Sequence, residues 1–172
     1  LEDKNNPSKY FNAIKYKGND SSSRDIGRVG FQPDLVWIKN RGATDWHFVQ
    51  DAVRGANYAL YPHETHEHSP DNANGHVNSF IADGFNVDAG ASGNTNDLNA
   101  NYIAWCWDAG TSTNSSANTD GTDITVAIGN QMANQTAGFS ITKFTGSGTS
   151  ANSDSGDSVG HGLSAAPDFI II

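Results

Sequence analysis

The sequence predicts an all-β fold, a sandwich of short antiparallel strands, and three observations lead to that prediction. Gly, Ser, Thr, Asn and Asp are abundant whereas Met and Glu are scarce, which is a poor balance for helices. Short apolar runs rich in β-branched and aromatic residues alternate with clusters of these polar residues. The 172-residue chain is also long enough to bury a core. We therefore expect about nine or ten strands in two packed sheets.

The elements follow in order along the chain. Residues 1–9 are polar and include Pro7, so they predict an N-terminal arm or linker, and residues 10–172 then form a single β-sandwich domain. The central strand follows a Pro-Asp turn, where Leu35 to Ile38 form an unbroken apolar run typical of a strand covered on both faces. The remaining strands are expected at 10–17, 46–51, 58–61, 77–81, 84–87, 101–108, 124–128, 137–145 and 169–172.

Alternation along these strands predicts which side chains form the core, because successive side chains point to opposite faces of a sheet. We expect seven large apolar residues to be largely buried. They are Leu35, Trp37, Phe48, Phe85, Ile103, Trp105 and Phe139.

A pattern in the first forty residues recurs from residue 139 onward. Phe11 and Phe139 each begin the spacing Phe, three residues, Lys, aromatic, one residue, Gly, and a polar loop and a Pro-Asp strand follow each of them. Residues 139–172 thus echo residues 11–38. This pattern permits two interpretations: two similar hairpins within one sandwich, or the first part of a second unit in a tandem or head-to-tail array.

The second interpretation predicts an assembly segment. Its residues are Pro167, Asp168, Phe169, Ile170, Ile171 and Ile172. An exposed apolar strand pairs with any sheet edge that it meets, so this segment would add to the sheet of a neighbouring subunit. Repetition of such a head-to-tail contact builds a helical filament unless the rotation closes a ring.

Charge and composition exclude several classes of function. The net charge is −9 with no basic stripe, which disfavours nucleic acid and anionic lipid as partners. The sequence contains no apolar run long enough to span a membrane. Catalysis finds little support, since there is no phosphate loop and the lone Cys106 has no basic neighbour. We expect a protein without enzymatic activity, located outside the cell, on its surface or in a virion.

Two kinds of small site are suggested by local residue clusters. His63, His66 and His68, interleaved with two glutamates, have the ligand types that Zn²⁺ prefers, and loops at 71–75 and 120–123 offer oxygen ligands for Ca²⁺. Neither matches an established ligand spacing, so solvated loops without a cofactor are the expected state. Asn19, Asn114 and Asn134 each begin an Asn-x-Ser/Thr sequon in a predicted loop, where a glycan could be attached.

Several motifs together carry a resemblance to a known family. They include Gly-Phe-Gln-Pro-Asp-Leu-Val-Trp-Ile-Lys-Asn-Arg at 30–41, Trp-His-Phe at 46–48, Asp-Ala-Val-Arg-Gly at 51–55, Tyr-Ile-Ala-Trp-Cys-Trp at 102–107 and Gly-His-Gly-Leu at 160–163. From Phe11 onward the chain resembles an uncharacterised β-sandwich family of phage virion proteins, tail-associated ones especially, and of environmental bacterial surface proteins. The resemblance implies a jelly roll of the concanavalin or laminin-G type, with no catalytic residues to transfer.

Two functions are consistent with the resemblance. One is a structural subunit of an extracellular or virion-associated fibre that assembles from copies of itself through the C-terminal strand. The alternative is a carbohydrate-binding or receptor-binding adhesin module that recognises surface glycans. The repeated Pro-Asp strand favours the fibre subunit.

Overall fold

The computed structural model describes residues 6–65, 69–70, 73–92, 94–112, 128–146 and 158–172. Every strand pairing within them is antiparallel, and these residues contain no α-helix, only one short 3₁₀ turn at Pro7–Lys9. The all-β fold predicted from composition is confirmed. The chain divides into two compact units, residues 1–108 (unit 1) and residues 109–172 (unit 2).

Unit 1 contains two antiparallel sheets. The six-stranded sheet has the order β1-β9-β3-β4-β5-β6, and the three-stranded sheet has the order β2-β8-β7. The strands are β1 (Phe11–Lys17), β2 (Arg24–Ile26), β3 (Leu35–Asn40), β4 (His47–Asp51), β5 (Gly55–Leu60), β6 (Ser69–Pro70), β7 (His76–Ile81), β8 (Gly84–Asp88) and β9 (Asn101–Trp107).

Strand β9 is the centre of the first half of the larger sheet. It pairs with β1 on one side and with β3 on the other, so Trp105 faces Ala13 across one ladder and Trp37 across the other. The two strands that flank β9 come from the beginning of the chain, whereas β9 itself follows more than sixty residues after β3. The alternation Tyr102, Ala104, Cys106 against Ile103, Trp105, Trp107 gives β9 two different faces.

The core lies between the two sheets. Val36 and Ile38 of β3 are fully buried, as are Tyr102, Ala104 and Cys106 of β9. The three-stranded sheet packs over them through β7, which contacts β4 and β5. The other members of this core include Phe48, Ala59, Val77, Phe85 and Val87.

This core corrects the predicted faces of β3 and β9. Of the seven side chains expected inside, only Phe48 and Phe85 are fully buried. The other five are half-buried: Leu35, Trp37, Ile103 and Trp105 lie on the outer face of the six-stranded sheet, and Phe139 belongs to unit 2. The prediction placed Ile103 and Trp105 inside, whereas β9 turns Tyr102, Ala104 and Cys106 inward. Close packing at fixed volume requires small side chains where an opposing sheet supplies large ones such as Phe85.

Backbone geometry fixes the hairpin between β7 and β8. Gly84 has φ +153°, and a Cβ atom built there would lie 2.0 Å from the carbonyl oxygen of Ile26 on the neighbouring strand β2. Only glycine therefore allows β2 to approach β8 this closely. The strands predicted at 77–81 and 84–87 form this hairpin, but the short strand β2 was not predicted.

Unit 2 contains a smaller antiparallel sheet of order β10-β11-β12. Its strands are β10 (Thr111–Ser112), β11 (Ile128–Asn134) and β12 (Phe139–Phe144). Of the strand predicted at 124–128, residues 124–127 lie outside the described residues. The strand predicted at 169–172 is wrong for this chain, because residues 158–172 form no strand. A β-strand requires a partner for its ladder of hydrogen bonds, and the described residues of unit 2 supply none beside this segment.

Candidate assembly site

The segment 167–172, here called the apolar segment, is the most exposed apolar stretch of the described chain. The exposed fractions are 79% for Phe169, 65% for Ile170, 73% for Ile171 and 103% for Ile172. Soluble domains rarely leave four consecutive large apolar side chains in water, because each exposed side chain forgoes roughly 1.5–3 kcal/mol of burial. The prediction that 167–172 takes part in assembly falls on a surface of this kind, and it stays a prediction.

The chain just before the apolar segment is fixed to β11. The buried side chain of Gln131 donates from Nε2 to the carbonyl oxygen of Gly160 (2.8 Å) and to Oγ1 of Thr142 (2.9 Å). Gln135 donates to the carbonyl oxygen of Gly162 at 3.3 Å. A Cβ on Gly162 would lie 2.5 Å from Oε1 of Gln131, so glycine is needed for this contact. The apolar segment therefore emerges from a defined place on unit 2.

Backbone conformation supports the sequence echo. Arg28 and Gly162 each stand five residues before a Pro-Asp pair, and both have left-handed backbones, with φ +69° and +73°. Such a conformation is uncommon for a residue other than glycine, so its recurrence at matched positions is informative. The residue after each is apolar and turned inward: Val29 is fully buried and Leu163 is half-buried. The same bend thus precedes β3 in unit 1 and the apolar segment in unit 2.

The difference between the two copies lies in what stands beside them. In unit 1, β9 pairs with both β1 and β3. In unit 2, β12 corresponds to β1 and the apolar segment corresponds to β3, but the described residues contain no strand corresponding to β9. Within these residues β12 pairs only with β11, so its second edge has no strand beside it. In its described residues, unit 2 therefore combines a strand edge that has no neighbouring strand with an exposed apolar segment.

The predicted metal ligands are only partly within the described residues. His66 and His68 lie outside them. Nδ1 of His63 accepts the backbone N–H of His47 (3.4 Å), and Nε2 of His63 lies 3.9 Å from Oε1 of Glu64. The part of the chain that the structure describes holds no group of three His, Cys, Asp or Glu side chains placed to bind a metal ion. His63 instead packs beside the rings of Trp46 and His47, at centroid distances of 5.7 and 5.8 Å. Of the predicted calcium loops, residues 71, 72 and 120–123 also lie outside the described residues.

His47 joins two aromatic groups. Its Nδ1 accepts a hydrogen bond from Nε1 of Trp37 at 3.0 Å, and the Trp37 ring packs edge-on against Trp105 at 6.0 Å. Burial lowers the pKa of His47 below its ordinary value, and the positive charge of Lys39 and the neighbouring His63 lower it further. The imidazole is therefore held neutral, with Nδ1 as its acceptor atom.

The outer face of the six-stranded sheet carries an aromatic row of four rings, two of which, Trp37 and Trp105, were predicted to lie in the core. Trp37 and Trp105 stand opposite each other in the β3–β9 ladder, and Phe11 packs on Trp107 at 5.0 Å. These four rings span three neighbouring strands, β1, β9 and β3. They remain half-buried or exposed, with Phe11 38% exposed. Alternation along β3 and β9 was visible in the sequence, but the strand pattern alone did not show which face points outward.

The remaining predicted sites are loop asparagines and the cysteine. Oδ1 of Asn19 accepts hydrogen bonds from Ser21 N (3.2 Å) and Asn96 Nδ2 (2.9 Å), and Oδ1 of Asn134 accepts from Ala137 N (2.9 Å). Both sequon asparagines thus have side chains that shape turns, and Asn114 lies outside the described residues. Cys106 is fully buried, and burial raises the pKa of its thiol to about 12, so it is not a nucleophile in the folded protein.

Comparison with known proteins adds a family but no activity. A family model with the description "Domain of unknown function (DUF7483)" matches residues 6–172. No curated protein and no solved structure matches the chain. Among the described residues, no helix is long and apolar enough to cross a membrane. Because the match covers nearly its whole length, the chain belongs to the DUF7483 family.

Proposed function

We propose that this protein is a non-enzymatic structural subunit of an extracellular or virion-associated fibre, and that copies join head to tail by β-strand addition through the apolar segment 167–172. The observation that carries the proposal is the exposure of Phe169 to Ile172 in a unit whose strand β12 has no strand on its second edge among the described residues. Strand addition would satisfy backbone groups and bury apolar side chains together.

The position of the segment suits a contact between subunits. Hydrogen bonds from Gln131 and Gln135 hold the chain at Gly160 and Gly162, five to seven residues before the segment, which limits the space that the segment samples and reduces the entropy lost when it docks. Unit 2 carries five Asp residues and one Lys, so its net charge is −4, whereas Lys15 and Lys17 are exposed on β1 at the edge of the six-stranded sheet. Attraction between these two lysines on one copy and the acidic residues of unit 2 on another would favour a contact between unlike surfaces over one between like surfaces.

Sedimentation velocity and negative-stain microscopy of the 172-residue chain test this proposal. The wild-type chain should form oligomers or filaments whose size rises with concentration. Deletion of 167–172 should abolish them while tryptophan fluorescence stays native, because all four tryptophans lie in unit 1. Ile170→Asp should act like the deletion, and Ile170→Leu, the matched control, should assemble like wild type. Assembly that persists after the deletion would refute the proposal, as would a wild-type chain that stays monomeric at all concentrations.

A second candidate function, binding of surface glycans, is favoured by the aromatic row on the outer face of the six-stranded sheet. Aromatic rings stack on the apolar faces of sugars, and Trp105 and Trp107 are half-buried beside exposed Phe11. A glycan array with wild type and Trp107→Ala separates this function from the first. Binding of a defined glycan that the substitution removes, in a chain that does not polymerise, would favour the adhesin.

A further inference from the structure

The sequence similarity between residues 11–38 and 139–172 indicates which kind of strand would pair with the apolar segment. We propose that unit 2 accepts a strand of the β9 type, inserted antiparallel between the apolar segment 169–172 and the edge of β12 that has no strand beside it among the described residues; this position is called the slot. This inference rests on the proposed function, because it names the strand with which the same segment pairs. The occupant is a partner strand with the pattern of Tyr-Ile-Ala-Trp-Cys-Trp at 102–107 that is not already paired within a sheet of its own.

The first argument is the order of strands in unit 1. Strands β1 and β3 are not hydrogen-bonded to each other, because β9 lies between them and pairs with both. The two segments of unit 2 that match β1 and β3 in sequence are β12 and the apolar segment. A sheet of the same design therefore needs one strand between them, antiparallel to each.

The second argument is the register that the echo implies. In unit 1, Cys106 stands opposite Asn12 and Val36, and Ala104 stands opposite Ile14 and Ile38. The matched positions in unit 2 are Ser140 and Ile170 for the first row, and Thr142 and Ile172 for the second. Small side chains on the inserted strand would thus lie between Ile170 and Ile172 on one side and short polar residues on the other.

The contacts of Thr142 agree with this register. Thr142 is paired with the buried Gln131, and its hydroxyl accepts a hydrogen bond from Gln131 Nε2. Gln131 also holds Gly160, so Thr142 shares the face of the sheet on which the approach to the apolar segment lies. The echo assigns the same face to the matched residue Ile14, which packs against the core of unit 1. Two independent features thus place the inner face of the slot on the Thr142 side.

The backbone pattern of β1 shows which groups the inserted strand would use. The N–H of Asp108 donates to the carbonyl of Tyr10, and the N–H of Gly18 donates to the carbonyl of Ala100. Hydrogen-bonded pairs alternate in an antiparallel ladder, so the even-numbered residues of β1 bond to β9. By the echo, the even-numbered residues of β12, namely Ser140, Thr142 and Phe144, direct their N–H and C=O groups into the slot.

A synthetic peptide with the sequence of residues 100–108, with Cys106 replaced by Ser and two lysines added for solubility, tests the inference. Fluorescence anisotropy of the labelled peptide measures binding to the full chain, and hydrogen–deuterium exchange locates it. We expect saturable binding with new protection at 139–144 and 167–172. The matched control peptide carries Ala104→Pro, which removes a ladder N–H, and it should bind at least about tenfold more weakly.

Two variants of the chain test the register. Ile170→Asp alters the position matched to the fully buried Val36, and Ile171→Asp alters the position matched to the half-buried Trp37. We expect Ile170→Asp to abolish peptide binding and Ile171→Asp to retain it within roughly tenfold. Both side chains are exposed in the described chain, so both variants should fold like wild type.

Three outcomes would overturn the inference: equal binding of both peptides, binding that survives Ile170→Asp, or protection along β1 in place of β12. The result is separable from that of the proposed function. If the chain binds the peptide but stays monomeric, the inserted-strand site is supported and the proposed self-assembly is refuted. If the chain forms filaments through 167–172 but does not bind the peptide, the fibre function is supported and the β9-type partner strand is refuted.

Discussion

The corrected faces of the six-stranded sheet lead to a matched pair of substitutions, Ile38→Ala and Ile103→Ala. Ile38 of β3 is fully buried between the sheets, whereas Ile103 of β9 is half-buried on the outer face. The two positions are close neighbours, since Ile38 pairs with Ala104 and Ile103 pairs with Lys39. The same chemical change is therefore made on opposite faces of one ladder.

The magnitudes follow from burial. Replacement of Ile by Ala removes three carbon atoms, worth about 0.8 kcal/mol each when they are fully buried. At Ile38 the sheets cannot collapse around the gap, so a cavity term adds to this and we expect a loss of about 3–4 kcal/mol in the free energy of unfolding. At Ile103 the outer face is open to water and leaves no closed cavity, so we expect a loss of about 1–1.5 kcal/mol.

Urea unfolding followed by tryptophan fluorescence measures this difference within unit 1, because Trp37, Trp46, Trp105 and Trp107 all belong to it. With a slope of roughly 2 kcal/mol per M urea, the midpoint of Ile38→Ala should lie about 1 M below that of Ile103→Ala. Equal midpoints, or a lower midpoint for Ile103→Ala, would refute the assignment of inner and outer faces.

Three further predictions concern the backbone, pH and metals. Gly84→Ala should destabilise unit 1 by about 2–4 kcal/mol, because the new Cβ would meet the Ile26 carbonyl oxygen. The control Gly30→Ala, where φ is +93° and no atom lies within 4 Å of the new Cβ, should cost only about 1–2 kcal/mol. Equal losses in urea unfolding would contradict the steric explanation. Because the pKa of His47 is lowered in the folded protein, the unfolded state binds a proton more readily than the folded state. The contribution of neutral His47 to the free energy of unfolding is therefore fully present above about pH 6.5 and declines as the pH falls below that value. His47→Gln should therefore reduce the acid-side slope of unfolding free energy against pH, and an unchanged slope would show that other groups control it. Chelator treatment should leave the melting temperature unchanged, and a fall that Zn²⁺ or Ca²⁺ reverses would establish a bound metal.

Local sequence pattern predicted the two main strands well but not their faces. The runs at 35–39 and 101–108 coincide within one residue with β3 and β9, because a short unbroken apolar run between turn residues usually forms a buried strand. Neither run indicates which side meets the second sheet, since both faces carry apolar side chains. That choice depends on the volume of the side chains in the opposing three-stranded sheet, such as Phe85 and Val87, which no local pattern contains.

The candidate assembly site shows a different limit. Its composition was readable, because Phe169 to Ile172 copy the pattern of β3. Its conformation was not, because a strand exists only with a partner, and the described residues of unit 2 hold no counterpart of β9. The short strand β2 was missed for a related reason: Arg24-Asp25-Ile26 has no alternation of its own and is a strand through its pairing with β8.

The late position of β9 has a consequence for biosynthesis. Strands β1 and β3 cannot enter a common sheet until residues 101–107 have left the ribosome, because β9 is the strand that joins them. At translation rates of about 5–20 residues per second, the nascent chain exposes the unpaired edge of β3 for roughly 3–13 s. During that interval its unpaired backbone N–H and C=O groups and its apolar side chains are available to chaperones and to neighbouring nascent chains. A run of slow codons between residues 40 and 101 should lengthen this interval and lower the soluble yield, whereas the same codons placed after residue 107 should not.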